Sequence, residues 1–149
     1  MGITADGRLN ITIRNANISR FITATFLHGT NDTIIEDNFI RATPGASILS
    51  QTGNNITVMN NFILNSAQGI RIIDAGGFSE RGSYNNTVMN NFIFNTTVAI
   101  GNAIELFFNF DSKVINNSIE NVSDNGISID SAFPATIRSS GITVVNNTI

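Results

Sequence analysis

Thr57-Val-Met-Asn-Asn-Phe-Ile63 recurs as Thr87-Val-Met-Asn-Asn-Phe-Ile93 and, with two changes, as Thr143-Val-Val-Asn-Asn-Thr-Ile149. Self-similarity of this kind is the signature of repeat architectures and outranks single-residue propensity. Working outward, the reduced phrase Val-x-x-Asn-x-Ile also matches Val114/Asn117/Ile119, Ile35/Asn38/Ile40 and Ile13/Ala16/Ile18, the last with alanine in place of asparagine. The anchors at 13, 35, 58, 88, 114 and 144 lie 22, 23, 30, 26 and 30 residues apart. A fixed phrase at a variable interval implies one constant strand pair closed by loops of changeable length.

A second phrase follows the first: Gly69-Ile-Arg-Ile72, Ala103-Ile-Glu-Leu106 and Gly126-Ile-Ser-Ile129. Its apolar-polar alternation has the period of two that a half-buried strand requires, so it is a third strand. Asn65, Asn95 and Asn121 stand between the two phrases. Turn-forming stretches such as Asp74-Ala-Gly-Gly and Asp130-Ser-Ala-Phe-Pro follow the third strand, where each coil closes.

Composition agrees. The chain has 23 Asn, 24 Ile and 15 Thr against 5 Leu, a bias toward β-branched side chains that favours strands. Charged residues are only 13% of its 149 residues, so uncharged polar groups, asparagine above all, solvate the surface. A single domain over 1–149 is expected. The net charge of -3, with eight basic residues scattered singly, offers no basic stripe for nucleic acid. No run approaches the about 20 apolar residues of a membrane span, and the absence of cysteine excludes a disulfide framework or thiolate metal site.

These features predict an all-β, parallel β-helix of about six rungs, with three short strands per rung and an asparagine ladder. Stacked rungs repeat at about 4.8 Å, so equivalent residues form continuous columns. Asn38, Asn61, Asn91, Asn117 and Asn147 are expected to form one such column at a bend, where asparagine both tolerates left-handed backbone angles and bonds the next rung through its amide. A leucine-rich repeat is the nearest rival, and the scarcity of leucine and of helical segments argues against it.

The Val-x-x-Asn-x-Ile phrase and the following Gly-Ile-x-Ile resemble the repeat of the pectin-lyase-like superfamily, over nearly the whole chain. The resemblance implies a right-handed, three-faced helix. It does not imply one activity, because lyases, hydrolases, epimerases, phage spikes, copper-delivery accessory proteins and archaeal surface proteins share that fold.

Candidate chemistry is sparse. Arg71 and Glu105 fall at equivalent outward positions and read as an exposed ion pair worth less than about 1 kcal/mol. Asp74, Glu80, Arg81, Asp130 and Arg138 lie in the two longest loops, where charges are ordinary. His28, the single histidine, reads as a surface residue in a turn. Met59 and Met89 share a column, without a histidine to complete a copper site. No catalytic residue, metal or cofactor is therefore expected.

The outward columns say more. Arg14, Glu36, Met59, Met89, Ile115 and Val145 follow the anchors, and Asn17, Phe39, Phe62, Phe92, Ser118 and Thr148 follow the ladder position. Phe39, Phe62, Phe92, Met59 and Met89 thus form a stripe that either the long loops or a neighbouring molecule must cover. Nine N-glycosylation sequons occur, at Asn10, Asn17, Asn31, Asn55, Asn85, Asn95, Asn116, Asn121 and Asn146, about twice the number that composition alone gives.

The function expected is that of a non-enzymatic, extracellular, N-glycosylated structural protein. Its partners would be its own glycans and further copies of itself, stacked head to tail into a surface filament or stalk. Ile149 occupies a core column partway round a rung, and Phe21-Ile-Thr-Ala-Thr-Phe26 is expected to continue that part-turn across the contact. The alternatives are a fragment of a polysaccharide-acting lyase, hydrolase or epimerase, and a carbohydrate-binding module that uses the phenylalanines as a sugar platform.

Overall fold

The repeat phrase folds as two strands around a two-residue corner, and the Gly-Ile-x-Ile phrase folds as the third strand of the same rung. The computed structural model describes residues 1–74, 82–97, 101–131 and 138–149. Among these, three parallel sheets wind into a β-solenoid of about five turns. The anchor face stacks Thr12–Arg14, Asn31–Glu36, Asn54–Met59, Thr87–Met89, Lys113–Ile115 and Thr143–Val145. The phenylalanine face stacks Asn17–Ser19, Phe39–Arg41, Phe62–Ser66, Phe92–Thr96 and Ser118–Val122. The third face stacks Ile3–Asp6, Thr25–His28, Ala46–Gln51, Gln68–Ile73, Ile104–Phe107 and Ile127–Asp130. A short extra pair, Ser83–Tyr84 with Asn109–Phe110, lines the corner between the third and anchor faces.

Inward positions form apolar columns. Ile13, Ile35, Val58, Val88 and Val114 are one, and Ile18, Ile40, Ile63, Ile93 and Ile119 are another, each residue at most 7% exposed. β-branched side chains fill such a column because their stiff χ1 fits the pleat, and each fully buried isoleucine contributes about 1.5–3 kcal/mol. On the third face each inner column is apolar apart from one hydroxyl residue, Thr25 between Ile3 and Ile48 and Ser50 between Leu27 and Ile72. Toward the N-terminus Thr25 and Ser50 point inward, with hydroxyls that make no hydrogen bond among the described residues. Toward the C-terminus the same columns carry Ile70, Ile72, Ile104 and Leu106. The glycine that opens the third-strand phrase has a steric cause: a Cβ at Gly69 would stand 2.2 Å from the Ala103 carbonyl oxygen of the next rung.

Three expectations need correction. The left-handed residues of the ladder corner are not the ladder asparagines but the residues just before them: Asn15, Asp37, Asn60, Asn90, Asn116 and Asn146, with φ between 53° and 54°. The corner must reverse direction in two residues, so the first takes the left-handed angle and the second turns its side chain inward. His28 ends the strand Thr25–His28 rather than lying in a turn. Phe21-to-Phe26 is not available to complete another part-turn, because Thr25 and Phe26 already pair with Ile3 and Thr4 on one side and with Ile48 and Leu49 on the other.

Candidate functional surfaces

The ladder is the most regular feature of the molecule. The Oδ1 of Asn61 accepts from both the backbone N–H and the Nδ2 of Asn38, at 3.1 and 3.0 Å. Asn91 does the same for Asn61, Asn117 for Asn91, and Asn147 for Asn117, all at 2.9–3.0 Å. Each Nδ2 also donates to a main-chain carbonyl of the preceding rung: Asn61 to Ile35, Asn91 to Val58, Asn117 to Val88 and Asn147 to Val114. Asn38, Asn61, Asn91 and Asn117 are 1–2% exposed, so each amide is satisfied within the protein. At the first rung the Ala16 N–H still donates to Asn38, and the side-chain ladder stops where alanine stands.

A second buried amide cluster was missed by sequence reasoning. Asn86 and Asn109 are 1% and 0% exposed at the corner between the third and anchor faces, and the Asn86 Nδ2 donates to the Asn109 Oδ1 at 2.9 Å. Asn109 Nδ2 donates to the Ile72 carbonyl at 2.7 Å, while Ser112 and Ser139 accept from the backbone N–H groups of Asn86 and Asn109. The doublet Asn85-Asn86 before Thr87 was its only signal. Asn86 occupies the column that isoleucine holds in the preceding rung, as its bond to the Ile56 N–H shows.

The expected apolar stripe divides between two faces. Met59 and Met89 lie on the anchor face, half-buried, in register with Glu36 on one side and Ile115 on the other. Phe39, Phe62 and Phe92 lie on the phenylalanine face, past the corner residues Asn60 and Asn90. Their rings stack with centroids 5.7 and 4.6 Å apart and planes within 13° of parallel. Phe94 adds a fourth ring, 6.4 Å from Phe92, and the Arg41 guanidinium lies 5.7 Å from the centroid of Phe39. Phe62 remains 41% exposed and Phe94 36%, so among the described residues this face is left partly open. Because Phe62 is sandwiched between neighbours, it presents an edge rather than a face, whereas a sugar platform needs free ring faces.

On the third face, Arg71 and Glu105 are paired in register, as expected, but not as an exposed pair. Arg71 Nε and Nη2 donate to the two carboxylate oxygens of Glu105 at 2.6 and 3.2 Å, and Nη1 donates to Gln68 at 3.2 Å. The side chains are 26% and 10% exposed. A bidentate, largely desolvated pair of this kind costs several kcal/mol, roughly 3–5, when one partner alone is removed. His28 Nδ1 lies 2.8 Å from Asp6 near the other end of the same face, with both side chains open to solvent. Of the loop charges, Asp74 is buried, Asp130 accepts from the Ser128 hydroxyl, and Arg138 is exposed. Glu80 and Arg81 lie outside the described residues. Among the described residues there is no cluster of three metal-binding side chains, and no helix long and apolar enough to cross a membrane.

The sequons have a structural origin. Asn10, Asn55, Asn85, Asn95, Asn116, Asn121 and Asn146 all have φ between 53° and 63°, left-handed angles that asparagine suits, with Asn55, Asn95 and Asn121 near the ends of strands and the others between them. Two residues on, the chain is back on an outward strand or turn position, where Ser or Thr is favoured, and the sequon follows. Asn17 and Asn31 are in strands, and Asn31 accepts from the Asn54 N–H. Asn55 donates to Asp32, Asn95 to Asn65 and Asn121 to Asn95. Asn10, Asn85, Asn116 and Asn146 are exposed, and their side chains make no hydrogen bond among the described residues.

No protein-family model matches the chain, and neither a curated protein nor a solved structure does.

Proposed function

We propose that this chain is a non-enzymatic structural rod of the cell exterior, N-glycosylated at its corners and extended by rung-on-rung stacking. The observation that carries the reading is the unbroken amide ladder from Asn38 to Asn147, which locks successive rungs in one register. A stack held this way resists bending and shear and repeats its surface at a fixed interval, as a stalk or spacer requires. The inner columns at the last rung, with Ile129 and Val144 41% and 43% exposed, would accept a further rung in the same register, from the same polypeptide or from another copy. The repeat phrases and the ladder support kinship with the pectin-lyase-like superfamily in architecture alone.

Glycan attachment is best supported at Asn10 and Asn85, which are exposed and share the corner opposite the phenylalanine face. Intact-mass measurement of natively produced protein tests this part: glycan mass at Asn85 is expected, and a mass equal to the bare polypeptide removes it. Electron microscopy of the same material tests stacking, with rods that lengthen as concentration rises expected and uniform short particles counting against it. One observation favours an enzymatic reading, the largely covered Glu105 beside Arg71 at an outward position. Release of unsaturated or reducing-end products from acidic polysaccharides, abolished by Glu105→Gln, would replace the structural reading with it.

A further inference from the structure

We infer that the phenylalanine face is a two-fold interface between two copies of this chain packed antiparallel. Its second outward column reads, rung by rung, Arg41, Leu64, Phe94, Glu120, in the register of the paired strands. Its first outward column reads Phe39, Phe62, Phe92, Ser118 alongside. The centre of this block is apolar, and its two ends carry opposite charges on exposed side chains.

Consider a dyad in the plane of the face, parallel to the strands, midway between the rungs of Phe62 and Phe92. It reverses the solenoid axis but keeps each column opposite itself. Leu64 of one copy then faces Phe94 of the other, Phe62 faces Phe92, and Arg41 faces Glu120. By symmetry the charge pair is formed twice, once at each end of the apolar centre. The other in-plane dyad, along the solenoid axis, would set Arg41 and Glu120 each opposite an uncharged residue of its own rung, so charge complementarity selects the antiparallel arrangement. A patch that is complementary to itself about a dyad is what an isologous dimer needs. Sheets packing face to face stand about 10 Å apart, a spacing that the upright phenylalanine edges can fill. The stacked rings are already ordered by one another, and the Arg41 guanidinium is held near Phe39, so little side-chain freedom remains to be lost on association.

The face is small. Five strands at about 4.8 Å span roughly 20–25 Å, which places the interface at the lower end of specific contacts, with a dissociation constant on the order of micromolar. Such a dimer closes on itself, whereas end-to-end stacking continues. The two are therefore separable, and this inference does not depend on the structural-rod reading.

Sedimentation equilibrium of the full chain across a concentration series tests it. The wild type is expected to show a monomer-to-dimer step of its own, separate from any end-to-end growth at the rung ends. Glu120→Arg and Arg41→Glu should each weaken the dimer at least about tenfold, because each sets like charges against one another twice. The double variant Arg41→Glu/Glu120→Arg should restore it. Both positions are exposed, and circular dichroism melting verifies that each variant is folded; Leu64→Lys, at the centre, serves as an independent disrupting variant. A wild type that stays monomeric, a dimer indifferent to either single reversal, or a double variant that fails to regain affinity overturns the inference. Open-ended growth that ignores these substitutions would assign self-association to the rung ends instead.

Discussion

The corner between the anchor and phenylalanine faces has two residues in every rung, from Asn15-Ala16 to Asn146-Asn147. The corner between the third and anchor faces is not so constrained. Two residues, Phe108 and Asn109, join Phe107 to Phe110, while ten residues separate Ile73 from Tyr84. At the first corner one residue type hydrogen-bonds to its own copy in the next rung, so any change of length would break the column on both sides. At the second corner the buried Asn86, Asn109 and Ser112 and the half-buried Ser139 meet through individual bonds. A self-templating contact enforces constant length. A corner assembled from varied partners accepts insertions, and both of the long loops leave from it.

Breaking the constant corner should have the largest effect. Asn91→Ala removes bonds to Val58, Met89, Asn61 and Asn117 inside a buried stack. At about 1 kcal/mol for each buried partner left unpaired, partly relieved by relaxation, urea denaturation should show a loss of about 3 kcal/mol. A midpoint equal to that of the wild type would refute the ladder as the element that fixes rung register.

A smaller effect separates the two jobs of that corner. Asn90 is exposed with φ at 54°, so Asn90→Ala should cost about 1–2 kcal/mol through backbone strain alone. Asn90→Gly, free of that strain, should cost less than the alanine variant in the same titration. Equal losses for both would assign the stability to the asparagine side chain instead.

The smallest effect is expected at the variable corner. Residues 75–82 are the eight by which this rung exceeds the next. Their deletion joins Asp74 to Ser83 and leaves the same two-residue corner as Phe108-Asn109. Because loop-closure entropy changes slowly with length, stability should move by no more than about 1 kcal/mol. Loss of cooperative unfolding in that variant would show that the corner is as constrained as the ladder.

The fold was legible because period-two alternation and the asparagine column repeat in the chain itself, and registers such as Val58 with Val88 and Ile63 with Ile93 follow directly from aligning the phrases. Asn86 and Asn109 were not legible, because they stand in columns that other rungs fill with isoleucine or serine, and a repeat search discards unlike residues. The left-handed position was misplaced by one residue because both members of each Asn-Asn pair suit a turn.

What the sequence alone determined, then, is the repeat, the inward columns and the identity of the ladder, since all three depend on residue type at fixed local spacing. Which asparagine of each pair turns the chain and which is buried followed from the packing of one rung on the next. The tertiary structure also placed the methionine and phenylalanine columns on different faces and left Arg71 and Glu105 largely covered. These outcomes depend on the direction the chain takes after a corner and on what lies across the next rung, and neither is encoded in the spacing of one phrase.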